Sequence, residues 1–262
     1  MSEAVVRLLS FGAIFIVVGL FEWKHPFRTL SHRKGFRWLN NFGVLVVDSI
    51  AVRLLLPILA VGVAEHVYSQ QSGLFGLLEF PLWLAAPLGF LLLDLTIYAQ
   101  HWVSHNVPLV WRLHRMHHAD LDFDMSTALR FHPIEIVGSM IYKIAVVWAL
   151  GIHPMVVLVF EVVLNGTALF NHANFSIPAK AERVLRWFVV TPDMHRVHHS
   201  IRPEETNSNY GFNFPWWDRL FGTYVTKPKD NAQTMPIGIE LFRQEGDSSL
   251  PKMLIQPFVS GR

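Results

Sequence analysis

The chain contains no cysteine among its 262 residues. That absence excludes thiolate-bound haem, cysteine-held iron–sulfur clusters and Rieske centres, each of which needs a thiolate. It also removes disulfides, so cysteine usage says nothing about redox compartment. Charge is scarce too. Only 16% of residues are Asp, Glu, Lys or Arg against 52% hydrophobic, and mean hydropathy is positive. Ordinary soluble domains carry about 25% charged residues, so this composition points to a chain that crosses a membrane several times. The net charge of +2 gives no case for nucleic-acid binding. No linker, repeat or low-complexity tract marks a second folded domain ahead of the C-terminal tail.

Three apolar segments are long enough to span a hydrocarbon core, which takes about 20 helical residues: Ala4–Trp23, Phe42–Val63 and Phe75–Tyr98. The first has no small-residue cleavage site after it, since Phe21-Glu22-Trp23-Lys24 follows directly, so it reads as a retained span. The connector after it holds Lys24, Arg28, Arg33, Lys34 and Arg37, whereas the next connector is nearly uncharged. By the positive-inside rule the N-terminus is outside and the first connector cytoplasmic. A fourth apolar region, Pro133 to Phe170, is too long for one crossing, and Gly151-Ile152-His153-Pro154 divides it into a hairpin. Beyond His172 the chain is more polar and aromatic. Ala179–Val190 reads as an interfacial amphipathic helix, and Thr226 to Arg262 as a loosely structured tail. The expected fold is all-α: a multi-pass helical bundle with a cytosolic histidine-rich cap. Its regions are 1–100 (transmembrane helices 1–3), 101–200 (a catalytic region with the hairpin at about 133–170) and 201–262 (cap and tail).

What the chain does have is histidine in a repeated spacing. His101 and His105 are followed by His114, His117 and His118, and later by His195, His198 and His199. A helix turns about 100° per residue, so offsets of three and four return a side chain to one face. Each H-x-x-H-H group therefore confines three imidazoles to an arc of about 100°, and the H-x-x-x-H pair to about 40°. Imidazole is neutral near pH 7 and ligates iron, zinc and copper. A bound cation is the natural reason to gather bases that would repel one another if protonated. His172, where the hairpin returns, is a ninth candidate ligand. If one site uses both H-x-x-H-H groups, the chain between them crosses the membrane an even number of times, as a hairpin does.

Three further residues are candidates for orienting the ligands: Asp94, His132 and Asp218. Asp94, Tyr98, His101 and His105 form one helical stripe, where Asp94 either accepts a hydrogen bond from a ligating imidazole or makes a helix-packing contact. Asp120, Asp122 and Asp124 alternate, which suits turns and caps better than ligation. His25, His32, His66 and His153 stand alone in loops or turns. Asp48 and Arg53 in the second span, and Glu161 in the hairpin, leave substrate contact, interhelical pairing and snorkelling all open.

The three boxes in this order resemble the fatty acid hydroxylase superfamily, in particular its sterol desaturase branch. The resemblance runs from about Asp94 to Tyr224. It rests on His114-Arg115-Met116-His117-His118, Arg130-Phe131-His132-Pro133, Thr191-Pro192-Asp193-Met194-His195-Arg196-Val197-His198-His199, Asn209-Tyr210-Gly211 and Trp217-Asp218-Arg219-Leu220-Phe221-Gly222-Thr223-Tyr224. It implies a non-haem di-iron centre (two Fe ions) that uses O2 to hydroxylate or desaturate a C–H bond of a lipid: sterol, fatty acyl, sphingoid or ether lipid. No cytochrome b5-like domain is recognisable, so electrons are expected from an external donor of cytochrome b5, ferredoxin or reductase type. The expected location is a bacterial inner membrane, with the histidine boxes cytoplasmic.

Two other functions compete. A zinc-dependent membrane hydrolase would use three protein ligands and a water, often with a glutamate base as in H-E-x-x-H. Eight or nine imidazoles exceed that need, and no glutamate lies within a box. A metal transport or storage protein would spread polar ligands through the spans, whereas these histidines gather at one end.

Overall fold

The computed structural model describes residues 2–260. Its helices are α1 (Glu3–Lys24), α2 (Lys34–Leu55), α3 (Ala60–Ser69), α4 (Gly73–Leu77), α5 (Leu82–Asn106), α6 (Pro108–His118), α7 (Pro133–Leu150), α8 (Pro154–Asn171), α9 (Ala179–Leu185), α10 (Pro192–His198), α11 (Pro203–Thr206), α12 (Trp216–Phe221) and α13 (Leu250–Ile255). Among the described residues no strand forms, and pairing is limited to isolated bridges at Pro26–Phe175 and Ser200–Ile237. Five units are long and apolar enough to cross a membrane: α1, the broken stretch Lys34–Leu77, α5, α7 and α8. The chain is a multi-pass helical membrane protein, in agreement with its composition.

Proline and glycine set the helix limits. Pro57 follows the end of α2, and Pro81 is the N-cap of α5. The span expected at Phe42–Val63 is therefore a helix over Lys34–Leu55, one that starts earlier because its polar first turns are buried against the histidine region. The span expected at Phe75–Tyr98 starts at Leu82 and runs two turns beyond Tyr98, carrying His101 and His105 inside the helix. At the hairpin tip Gly151 adopts the left-handed conformation (φ 69°) that ends α7. The His153 ring then accepts the Met155 N–H, with Pro154 at the first position of α8. An added Cβ on Gly73 would lie 2.4 Å from the Gly151 nitrogen, so glycine is required where these loops cross.

The remaining differences fall outside the spans. The interfacial helix expected over Ala179–Val190 ends at Leu185. The chain must turn so that Val190 N–H can donate to the Asn213 carbonyl (3.0 Å) and Thr191 can cap α10. The loosely structured tail expected from Thr226 is packed instead over its described residues; Gly261 and Arg262 lie outside them. Met235, Ile237 and Met253 are buried. Arg115 donates to the carbonyls of Gln256 (2.5 Å) and Val259 (2.6 Å), and Arg112 to that of Pro257 (2.7 Å). Those carbonyls were invisible to a reading of side chains.

One end of the bundle collects the first connector, the end of α5, α6, the start of α7 and the end of α8. Its organising contact is Arg37 on α2, which is buried. Arg37 grips Asp120 through two bonds of 2.7 Å and Asp124 through a third of 2.7 Å. Asp124 also caps the turn Met125–Leu129. Burial alone would raise the Asp120 pKa, but the guanidinium groups of Arg37 and Arg130 hold it well below the usual carboxylate range. The Ser31 and His32 amides donate to Asp122 (3.0 and 2.8 Å), and Glu22 accepts the amides of Met125 (2.7 Å) and Asn174 (2.8 Å). Of the three alternating acids, Asp124 fills the cap role the spacing suggested, whereas Asp120 pairs with Arg37 and Asp122 fastens the first connector.

Removing one partner of a buried ion pair leaves the other charge uncompensated, at a cost of about 3–5 kcal/mol. Arg37→Met should therefore lower stability by about that amount and depress the thermal midpoint of the detergent-solubilised chain sharply. An unchanged midpoint would show that this contact does not organise the cap.

Candidate metal centre

The nine histidines singled out above converge in two adjacent groups. His101, His105, His114, His118 and His198 form one, and His117, His172, His195 and His199 the other; within each, the candidate ligand atoms lie within 4.8 Å of one another. Helix geometry explains the division. Within one H-x-x-H-H group the first and last histidines stand about 40° apart, while the middle one lies about 60° to the other side. On α6, His114 and His118 accordingly face the first group and His117 the second. On α10 the assignment is reversed: His195 and His199 face the second group and His198 the first. The α5 pair completes one group, and His172, the C-cap of α8, completes the other. The groups touch along the His118–His199 stack, whose ring centroids are 4.4 Å apart.

All nine rings are buried or nearly so, and four of them have one nitrogen tied to a backbone carbonyl or a carboxylate. In the first group His101 Nδ1 donates to the Tyr210 carbonyl (2.7 Å) and His198 Nδ1 to the Ser208 carbonyl (2.6 Å). His114 Nδ1 donates to Glu135 Oε1 (2.6 Å). Each of these bonds fixes the tautomer that leaves Nε2 as a lone-pair donor. In the second group His172 Nδ1 donates to the Ala168 carbonyl (2.7 Å), and its Nε2 lies 3.1 Å from His117 Nε2 and 3.0 Å from His195 Nε2. Two nitrogens on one ion at about 2.1 Å stand roughly 3.0–3.4 Å apart, so this spacing fits ligands of a common ion. Across the nine rings, eleven buried nitrogens have no hydrogen-bond partner. Buried polar atoms are nearly always paired, and a set of orphaned imidazole nitrogens facing inward is the donor set of a metal site.

Burial, with mutual repulsion between neighbouring rings, holds His117, His118, His195 and His199 well below the usual histidine range. Burial lowers His172 to about 4 and His198 to about 3. All of these rings are neutral at physiological pH, the form in which imidazole binds metal.

The three residues expected to orient ligands behave differently. Asp94 accepts a 2.7 Å bond from Trp217 Nε1, and no imidazole is among its partners. It precedes His101 by seven residues, about 10.5 Å along the helix, too far to reach a ligand ring, so its work is to fasten α12 to α5. His132 belongs to neither group. Its Nδ1 accepts the Ile134 amide at the start of α7, and its Nε2 donates to the Leu254 carbonyl (3.1 Å). Asp218 acts one step away from the rings. It accepts the amides of Tyr210 and Gly211 (both 2.8 Å) and so shapes the loop whose Tyr210 carbonyl holds His101. The carboxylate that does touch a candidate ligand is Glu135, which the sequence reading missed. It sits 21 residues from His114 in the first turn of α7, where an acid is unremarkable as a helix-start residue.

Buried imidazoles at one end of a helical membrane bundle define a membrane protein built to hold metal. The fatty acid hydroxylase family model matches residues 86–223, and the chain belongs to that family, one of metal-dependent oxygenases. It is 27% identical over 244 residues to the ornithine lipid hydroxylase OlsE of Rhizobium tropici, covering 88% of this chain and 72% of that protein. To alkylglycerol monooxygenase of Xenopus tropicalis it is 30% identical over 176 residues (63% of this chain, 36% of that one). To cholesterol 25-hydroxylase of Rattus norvegicus it is 27% identical over 142 residues (53% and 46%). The chain thus spans less than half the length of the latter two. No solved structure matches it significantly.

Two outcomes follow from this geometry. Glu135→Gln should weaken metal binding or activity about 10–100-fold, the usual cost of losing a group behind a ligand. Asp94→Asn should leave metal content unchanged. Equal metal loss in both variants, read by metal analysis, would remove the distinction. The second outcome concerns acid. His172 and His198 titrate near 4 and 3 in the folded chain but at about 6.5 unfolded. Between those values the unfolded chain binds more protons, so stability is complete above about pH 6.5 and declines as pH falls towards 4. The thermal midpoint of metal-free protein should follow that curve, and a flat profile would contradict it.

Proposed function

We propose that this chain is a membrane-embedded non-haem di-iron oxidase that hydroxylates or desaturates a C–H bond of a lipid with O2 and external electrons. His101, His105, His114, His118 and His198 would hold one iron, and His117, His172, His195 and His199 the other. The observation that carries this reading is the division of nine imidazoles into two touching groups. A catalytic zinc uses three protein ligands, so two groups of five and four fit a pair of oxygen-activating ions better than a zinc hydrolase. When bound, the iron pair supplies the reducing electrons and the oxidising power that no side chain has.

The protein's own part is to bind, orient and keep water out. A cavity of about 410 Å³ among α1, α2, α5, α7 and α8 reaches His101, His114 and Glu135 at one end and is otherwise mostly apolar. Its size lies within the usual range for ligand pockets, and its position lets a lipid enter from the bilayer. Phe131 stacks on His117 with centroids 4.2 Å apart, and Phe212 packs 5.1 Å from His101. Both phenyl rings line the cavity beside His101 and His114. Relatives named for an ornithine lipid, alkylglycerols and cholesterol support a lipid substrate, although they differ in headgroup.

We assign the histidine face to the cytoplasm of a bacterial inner membrane. The basic first connector lies on that face, where Arg28 donates to the Met235 carbonyl (3.1 Å) and the Ser31 amide to Asp122. On this reading residues 1–100 anchor the chain, 101–200 carry the site and 201–262 cap it, and a separate cytoplasmic carrier delivers the electrons.

Anaerobically purified protein should contain two iron ions per chain, and His172→Ala should lower that content and abolish turnover while the protein still inserts. One ion per chain, with activity restored by zinc alone, would overturn the proposal.

A further inference from the structure

Five acids lie buried in the membrane-spanning helices: Glu22, Asp48, Asp94, Glu135 and Glu161. Four have partners within the protein. Glu22 takes two backbone amides, Asp94 the Trp217 indole and Glu135 the His114 ring. Glu161 is held between Lys143 and Arg7. Asp48 differs. It is 6% exposed, and among the described residues it makes no hydrogen bond and no ion pair. Its Oδ1 is sealed without a partner. The same side chain lines the cavity that leads to His101 and His114.

An unpartnered carboxylate inside a bilayer is costly, and such residues usually mark a binding site or pathway. Arg53 on the same helix also lines the cavity, but no salt bridge joins it to Asp48, and Arg53 is exposed. Nothing in the protein compensates Asp48, which leaves that role to the occupant of the cavity. The charged carboxylate accepts hydrogen bonds, so an occupant that stabilises that form is a donor, and the apolar walls around it suit a hydrocarbon remainder.

We propose that Asp48 is the specificity-determining residue of the cavity. It receives the hydroxyl or ammonium group of an amphiphilic lipid, whose hydrocarbon body runs towards His101 and His114. This deepens the oxidase reading and rests on it for the meaning of the far end. With the donor group fixed on Asp48, the distance along the lipid selects which carbon reaches the histidine end. A lipid presenting only an anion there would be repelled by the charged carboxylate, and one presenting only an ether oxygen would give that carboxylate no donor.

Native mass spectrometry of the full chain as purified, in detergent, tests this with four probes sharing one alkyl chain. They are 1-octadecanol, octadecylamine, octadecyl methyl ether and stearate. The alcohol, the amine or both should bind at least ten-fold more tightly than the ether and stearate, and whichever donor leads identifies the headgroup. Asp48→Leu should bring the donor-to-ether ratio close to one. Asp48→Asn, a smaller change that keeps an acceptor but loses the charge, should retain alcohol binding and weaken amine binding. Equal binding of ether and donors to the unaltered chain would overturn the proposal. So would a donor preference that survives Asp48→Leu, or tightest binding of stearate, which would assign recognition to Arg53. Lipid binding is read without turnover, so its failure leaves the di-iron reading standing, and a wrong metal assignment leaves the binding ratios unchanged.

Discussion

Nine imidazoles packed ring against ring would repel one another if they were protonated together. The rest of the structure serves that constraint. Burial and mutual repulsion disfavour the charged form of His117, His118, His195 and His199. The carbonyls of Tyr210, Ser208 and Ala168 and the Glu135 carboxylate take the N–H groups of His101, His198, His172 and His114. Eleven buried ring nitrogens are left with nothing in the protein to satisfy them. A chain that spends so much architecture on keeping donor nitrogens unpaired is organised around a cation.

The acceptors must in turn be held, and the means differ by element. Asp218 shapes the Tyr210 loop, and Asp94 anchors α12, which carries Asp218, to α5 through Trp217. Arg37 ties α2 to the turn between α6 and α7 through Asp120 and Asp124. Asp94, which looks intramembrane by position, and Arg37, which looks like a connector charge, therefore both act as fasteners for the polar end. The tail behaves likewise, because its backbone carbonyls accept hydrogen bonds from Arg112 and Arg115 on the helix that carries three of the histidines.

Histidine spacing was the most legible feature of the sequence, since helical periodicity alone brings offsets of three and four to one side. The same periodicity, carried one step further, explains why each H-x-x-H-H serves two groups. The hairpin was legible because Gly151 and Pro154 act locally on the backbone. Glu135 was not, since a hydrogen bond across 21 residues has no periodic signature. The stripe could not decide between the two roles open to Asp94, because it records direction and not reach; the structure shows the packing contact, with Trp217. The tail was misjudged because its contacts use carbonyl oxygens, which every residue possesses.

Iron K-edge X-ray absorption on the anaerobically purified protein tests the di-iron assignment most directly. The expected spectrum shows a first shell of nitrogen and oxygen only, with strong imidazole multiple scattering and a second iron as a neighbour. A spectrum of isolated iron with few imidazoles, in protein that is fully active, would contradict it.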